Sequence, residues 1–239
     1  MNTIISTNAV LLTEEVFKEL VESGLDNIQV SFFAGNAEDH KFITGSNSFN
    51  RVANNIRRAW KIKKDLGVSK PYIQTFMMEA QETKEKVEGF LEEWGQYVDK
   101  VFSRPLYNVG RDIEGLTPTH EKNSSKDRYP CITPWYSTAI RSNGDVMACY
   151  MFHWYKTSKD IVVGNINKQS LSEIWASEEF QKFRQAHLTL NFDDYPVCGT
   201  CDLWDAYTNI WEKGSDGKYF YSKIKSQDYF NKVYDYRGG

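Results

Sequence analysis

All four cysteines of the 239-residue chain fall between positions 131 and 201, and their spacing constrains the fold more than any other feature. Cys131 is followed after twelve residues by Gly144 and after four more by Cys149. The other pair forms Cys198-Gly-Thr-Cys201. Two separated thiols and one C-x-x-C pair make four soft ligands, enough to close a tetrahedral thiolate site. The residues between them are patterned as folded structure. Ser137 to Arg141, the turn Ser142-Asn143-Gly144-Asp145 and Val146 to Cys149 read as a hairpin with an Asn-Gly turn. That hairpin brings Cys131 and Cys149 to one end of a small sheet. The later C-x-x-C is expected as a tight turn, in which Gly199 lets the backbone approach a metal. From the residues alone, buried core thiols and a structural zinc site stay open as alternatives. Zinc ribbons usually draw on two C-x-x-C knuckles, and Cys131 with Cys149 does not form one.

Disulfides would need an oxidising compartment, and no signal-peptide pattern opens the sequence, so a cytoplasmic setting is expected. The apolar fraction of 41% and charged fraction of 26% suit a soluble globular protein of one large or two smaller domains. No apolar run approaches the ~20 residues of a membrane span. A net charge of −3 gives no electrostatic reason to expect nucleic acid. Neither a membrane nor a nucleic-acid partner is expected.

Upstream of the cysteines, strand and helix alternate. Residues 3–11 begin as a short apolar run and read as a strand. Thr13 caps a helix carrying Val16, Phe17, Leu20 and Val21, which Gly24 stops. Asn27 to Phe33 is a second strand, followed by a polar loop from Gly35 to Ser48. A long amphipathic helix through Val52, Ile56 and Ala59 ends at Gly67. Lys70 to Met78 is a third strand, Thr83 caps the next helix, and Val98 to Ser103 is a fourth strand ended by Pro105. Such alternation implies parallel strands with helical crossovers, whose carboxyl ends gather ligands. Those ends supply Thr7, Asn8, Ser31, Phe33, Met78, Glu79, Gln81 and Arg104. Residues 108–128 are turn-rich and polar. Ile161 to Ile166 reads as a strand, and Ser170 with Glu173 forms a capping box for a helix to about Ala186. A tail helix is expected around Ser226 to Val233. The histidines at 40, 120, 153 and 187 show no ligand spacing and are expected on the surface or in loops, with His153 a candidate near the thiols.

The order C-x12-G-x4-C, Gly164-Asn165-Ile166, Ser170-Leu-Ser-Glu-Ile-Trp175 and Pro196-Val-Cys-Gly-Thr-Cys201 resembles the C-terminal auxiliary-cluster domain of radical S-adenosylmethionine (radical SAM) enzymes, of the SPASM type in its shortened twitch form. Ser6-Thr-Asn-Ala, Ser23-Gly-Leu-Asp26, Glu38-Asp-His40 and Ser48 to Ile56 resemble the third and fourth strand–helix units of the radical SAM barrel. The resemblance implies an α/β chain: a partial (β/α) barrel remnant of parallel strands at 1–107, a linker at 108–128, a small α+β cluster-binding (twitch/SPASM) domain at 129–206, and a tail at 207–239. It implies that Cys131, Cys149, Cys198 and Cys201 hold one auxiliary [4Fe-4S] cluster, and makes Thr7, Asn8 and Ser31 candidates for contacts to S-adenosylmethionine.

The family's C-x-x-x-C-x-x-C segment has no counterpart here, so the sequence reads as the C-terminal portion of such an enzyme. The expected function is support of radical oxidation or modification of a small molecule or peptide. The alternative is a non-enzymatic iron–sulfur or zinc module acting as an electron carrier or peptide-binding partner. A complementary N-terminal chain, or self-association through the uncharged edge at residues 3–9, is the expected protein partner.

Overall fold

Alternation of apolar strands with amphipathic helices yields a four-stranded parallel sheet over the first hundred residues. The computed structural model describes residues 2–109, 114–119, 128–152, 161–215 and 219–221. The chain divides into two units: residues 1–106 with 115–120, and residues 107–114 with 121–239. The expected tail helix, His120 and His153 lie outside the described residues.

In the first unit the strands β1 (Ile4–Thr7), β2 (Asn27–Phe33), β3 (Tyr72–Glu79) and β4 (Lys100–Pro105) lie in chain order, every neighbouring pair parallel. Each crossover is helical: α1 (Glu14–Glu22), α2 (Ala37–Thr44) with α3 (Phe49–Asp65), and α4 (Val87–Trp94). Thr13 caps α1 as its spacing predicts, its hydroxyl accepting from the Val16 amide. The core between sheet and helices is one cluster including Phe17, Ile28, Phe32, Val52, Ile56, Ile73, Met77 and Trp94. β1 is the outer strand of this order, with Ile4 and Ile5 exposed.

Two details differ from the sequence reading. The stretch from Gly35 to Ser48 contains α2, not a loop throughout. Asn36 accepts from the Asp39 amide, acids fill the first turn, and Gly45 closes the helix at φ +71°. Its apolar residues are too few to announce it. Thr83 holds the N-cap position of a 3-10 turn, Lys84–Lys86, that runs into α4, but its hydroxyl does not cap: it donates to the Met78 carbonyl and accepts from the Ala80 amide.

The second unit builds a three-stranded antiparallel sheet from β5 (Ala139–Ile140), β6 (Asp145–Met147) and β7 (Val162–Asn165). The β5–β6 hairpin forms at Ser142 to Asp145, where Gly144 takes φ +88° and a Cβ would strike Asn167 at 2.2 Å. A short helix α5 (Thr133–Tyr136) precedes it. After the sheet come α6 (Leu171–Ala176), α7 (Glu178–Thr189) and α8 (Pro196–Thr200), then the hairpin β8 (Trp211–Lys213) and β9 (Tyr219–Tyr221). Gly164 lets α6 approach the sheet, since a Cβ there would meet Ile174 at 2.7 Å.

The single helix expected from Ser170 to about Ala186 is two. Ser177 sits extended between them (ψ 157°), ends α6 and caps α7 by accepting from the Phe180 amide. Ser177-Glu178-Glu179 is a helix-start signal in its own right.

Candidate metal centre

Each thiol is placed by a different local device. Cys131 stands two residues ahead of α5, whose start Pro134 favours. Cys149 follows β6, Cys198 lies inside α8, and Cys201 is the residue that ends it. The C-x-x-C is therefore a short helical turn. A Cβ at Gly199 would meet only Phe192 among the protein atoms, at an ordinary 3.6 Å.

The four cysteines line one pocket, with Arg128, Thr133 and His187 among the other lining side chains. Cys131, Cys149 and Cys198 are buried and Cys201 is partly exposed, all four as free cysteines. Thr133 joins the first two, its Oγ1 lying 3.2 Å from Cys131 Sγ and 3.7 Å from Cys149 Sγ. Those sulfurs are thus no farther apart than the two contacts laid end to end. Among the described residues, no three His, Cys, Asp or Glu side chains are grouped so as to hold a metal ion.

Arg128 organises the C-x-x-C side. Its guanidinium donates to the carbonyls of Cys198, Gly199 (2.7 Å) and Cys201 (3.4 Å), and it stacks over Phe192 at 4.4 Å. Burial pushes all four thiols above their ordinary value: Cys149 and Cys201 up to about 12, Cys131 and Cys198 upward for the same reason. Arg128 opposes this rise at Cys131 and Cys198. The unliganded thiols are therefore neutral, and forming four thiolates here requires cationic compensation of the kind a metal centre supplies.

His187 is buried on the inner face of α7, edge-on to the rings of Phe183 and Phe192. Burial, then the charge of Arg128, pushes its imidazole down to about 3, so the ring is neutral. The expectation of surface histidines fails at both described positions. His40 is also buried, with Nδ1 3.1 Å from the Phe32 carbonyl and Nε2 3.2 Å from Ser48 Oγ.

Arg128, Thr133 and His187 were not legible as site residues. Arg128 reads as the end of a polar linker and Thr133 as an ordinary polar residue. His187 carried a usable signal: Phe180, Phe183, Arg184 and His187 recur at helical spacing on one face, and all four are buried.

The other candidates lie in the first unit. Thr7 ends β1 beside Val30, and its Oγ1 accepts from the Ala9 amide at 3.0 Å. The Asn8 Oδ1 accepts from Val10 at 3.1 Å, and Ser31 is half-buried near the carboxyl end of β2. The structure brings these three to the carboxyl ends of adjacent strands. There Ala9 (φ 56°) and Phe33 (φ 68°) adopt left-handed backbone, a conformation bulky side chains rarely take. Asn55 of α3 secures this edge by donating to the Ala9 and Val10 carbonyls.

Residues 131–202 match the SPASM family, described as an iron–sulfur cluster-binding domain. A Pyrococcus furiosus protein described as a tungsten-containing aldehyde ferredoxin oxidoreductase cofactor-modifying protein is 28% identical over 249 residues, 84% of this chain and 66% of its own length. An uncharacterized protein of Methanocaldococcus jannaschii is 27% identical over 71% of this chain and 58% of its own length. The chain therefore spans roughly three fifths to two thirds of these curated relatives. Among solved structures, that of anSMEcpe with bound AdoMet superposes at a TM-score of 0.53 with 14% identity, over 97% of this chain and 70% of that one. That likeness concerns the fold. Residues 131–202 thus match an iron–sulfur cluster-binding domain, and the α/β fold is similar to that of radical S-adenosylmethionine enzymes.

Proposed function

We propose that Cys131, Cys149, Cys198 and Cys201 hold one [4Fe-4S] cluster, and that the chain is part of a radical S-adenosylmethionine enzyme that oxidises or modifies a small molecule or peptide. The observation that carries this reading is the lining of one pocket by all four thiols, with Arg128 gripping the C-x-x-C turn beside them. The match of residues 131–202 to a domain described as iron–sulfur cluster-binding favours a cluster over a single zinc ion. When bound, the cluster supplies a one-electron centre beside the substrate chemistry.

The chain's own residues do the rest. The thiols release protons on loading, which makes loading easier as pH rises. Thr133 orients Cys131 and Cys149. Arg128 fixes the turn and offsets thiolate charge. Thr7, Asn8 and Ser31, at the strand ends of the first unit, are assigned to contacts with S-adenosylmethionine. The relative described as cofactor-modifying favours a small-molecule or cofactor substrate.

Anaerobic reconstitution of the full chain with iron and sulfide tests the centre. About four irons per chain are expected, with uptake lost in Cys198→Ser. Stoichiometric zinc in place of iron would replace this reading with a structural zinc module.

A further inference from the structure

Buried polar groups are normally hydrogen-bonded, and each exception calls for a reason. His187 is 3% exposed, and neither Nδ1 nor Nε2 has a hydrogen-bond partner. One of the two must carry a proton in the neutral ring, so this is a donor with no acceptor. The side chain lines the same pocket as the four thiols. Trp135, Phe183 and Phe192 meet the ring edge to face, and none of them offers it an acceptor. A plain packing role would be filled better by leucine or phenylalanine, which carry no desolvated polar atoms.

A second orphan points the same way. Arg128 Nε is also buried without a partner and belongs to a side chain that lines the pocket. Its guanidinium is already occupied with the C-x-x-C carbonyls, so removing Arg128 would disturb the ligands themselves. His187 makes no such contact and isolates the effect of a donor.

We propose that His187 is a positioning residue that donates its ring N–H to a sulfur of the centre in this pocket, and thereby raises its reduction potential. Hydrogen bonds to cluster or cysteine sulfurs stabilise the reduced, more negative state. The inference rests on the iron–sulfur reading of the pocket and deepens it. The neutral ring suits the task, because it donates without adding charge.

The test compares the full-length reconstituted chain with His187→Leu and His187→Gln, using EPR-monitored redox titration, iron content and urea melts of the metal-free proteins. His187→Leu should keep its iron and shift the potential negative by about a tenfold change in the reduction equilibrium, ~59 mV for one electron. The same variant should raise the urea midpoint of the metal-free protein, since an unpaired buried polar group is removed. His187→Gln, which keeps an N–H donor, should recover most of the potential. A wild-type potential in His187→Leu overturns the inference. So does loss of one iron in both variants, which would make the imidazole a ligand. Failure of the unmodified chain to take up iron instead overturns the cluster reading on which the inference stands.

Discussion

The two units treat their buried polar groups differently. In the first, Lys63 donates to Asp99 at 2.5 Å and to the Pro71 carbonyl at 2.9 Å, Asn55 reaches two carbonyls, and Thr75 donates to the Val30 carbonyl. Trp94 Nε1 lacks a partner, although Arg57 stacks on its ring at 4.8 Å. In the second unit, both nitrogens of His187, Nε of Arg128 and Nη2 of Arg184 have none. Apart from Trp94 Nε1, the buried side-chain polar atoms described in the first unit are satisfied by its own backbone and side chains. In the second, two of the unpartnered side chains, His187 and Arg128, line the same pocket as the four thiols.

The largest expected effect breaks this contrast directly. Loading the metal-free chain with iron and sulfide should raise amide protection in residues 128–152 and 171–201 by roughly a hundredfold or more, ~2.7 kcal/mol of linkage. Residues 27–33 and 72–79 should change little. Hydrogen exchange read by mass spectrometry gives both regions in one measurement, and equal gains in both would dissolve the distinction.

Next in size is Lys63→Met. The ammonium is 4% exposed, and its loss leaves Asp99 partly buried without its cation. Breaking such a pair costs about 3–5 kcal/mol, read as a lower urea midpoint for the first unit. A change within about 0.5 kcal/mol would show that Asp99 is satisfied by the Ile73 amide alone.

The smallest effect concerns the start of β1. Asp26 is held well below the usual carboxylate range, first by the Lys70 ammonium and then by the Thr3 amide and hydroxyl. A depressed carboxylate stabilises the fold above its ordinary value of about 4 and loses that contribution as pH falls below it. Protection of residues 3–7 should therefore decline on acidification below about pH 4 in the natural chain. In Asp26→Asn it should be lower at neutral pH and nearly flat across that window. An unaltered acid profile in the variant would assign the decline to other carboxylates.

Much of the first unit was legible because its signals are local and periodic. Thr13 and the faces of α1 and α3 announce themselves, and the four strands fall where apolar runs lie. Its two misreadings have separate causes. Asn36 starts α2 with few apolar residues behind it, while Thr83 has the chemistry of a cap but spends its hydroxyl inside a turn. In the second unit the cysteine spacing pointed to a shared site, and the Asn143-Gly144 turn positioned the hairpin. Arg128 and Thr133 escaped notice because their importance arises from contacts far along the chain. No periodicity encodes that Thr133 meets two sulfurs, or that a linker arginine meets a turn beyond α7.

Arg128 has a consequence for how the cage tolerates change in the chain it encloses. Its bond to the Gly199 carbonyl spans 71 positions and closes a ring with Cys131 near one end and Cys198 and Cys201 at the other. The entropy of closing such a ring grows only with the logarithm of its length, so doubling the enclosed segment costs only about 0.6 kcal/mol more. That tolerance belongs to the exposed turns between elements, because Cys149, Thr133 and His187 inside the ring line the same pocket and must keep their places. A lineage carrying this clasp can lengthen those turns at little entropic cost while the sulfur-bearing ends remain joined.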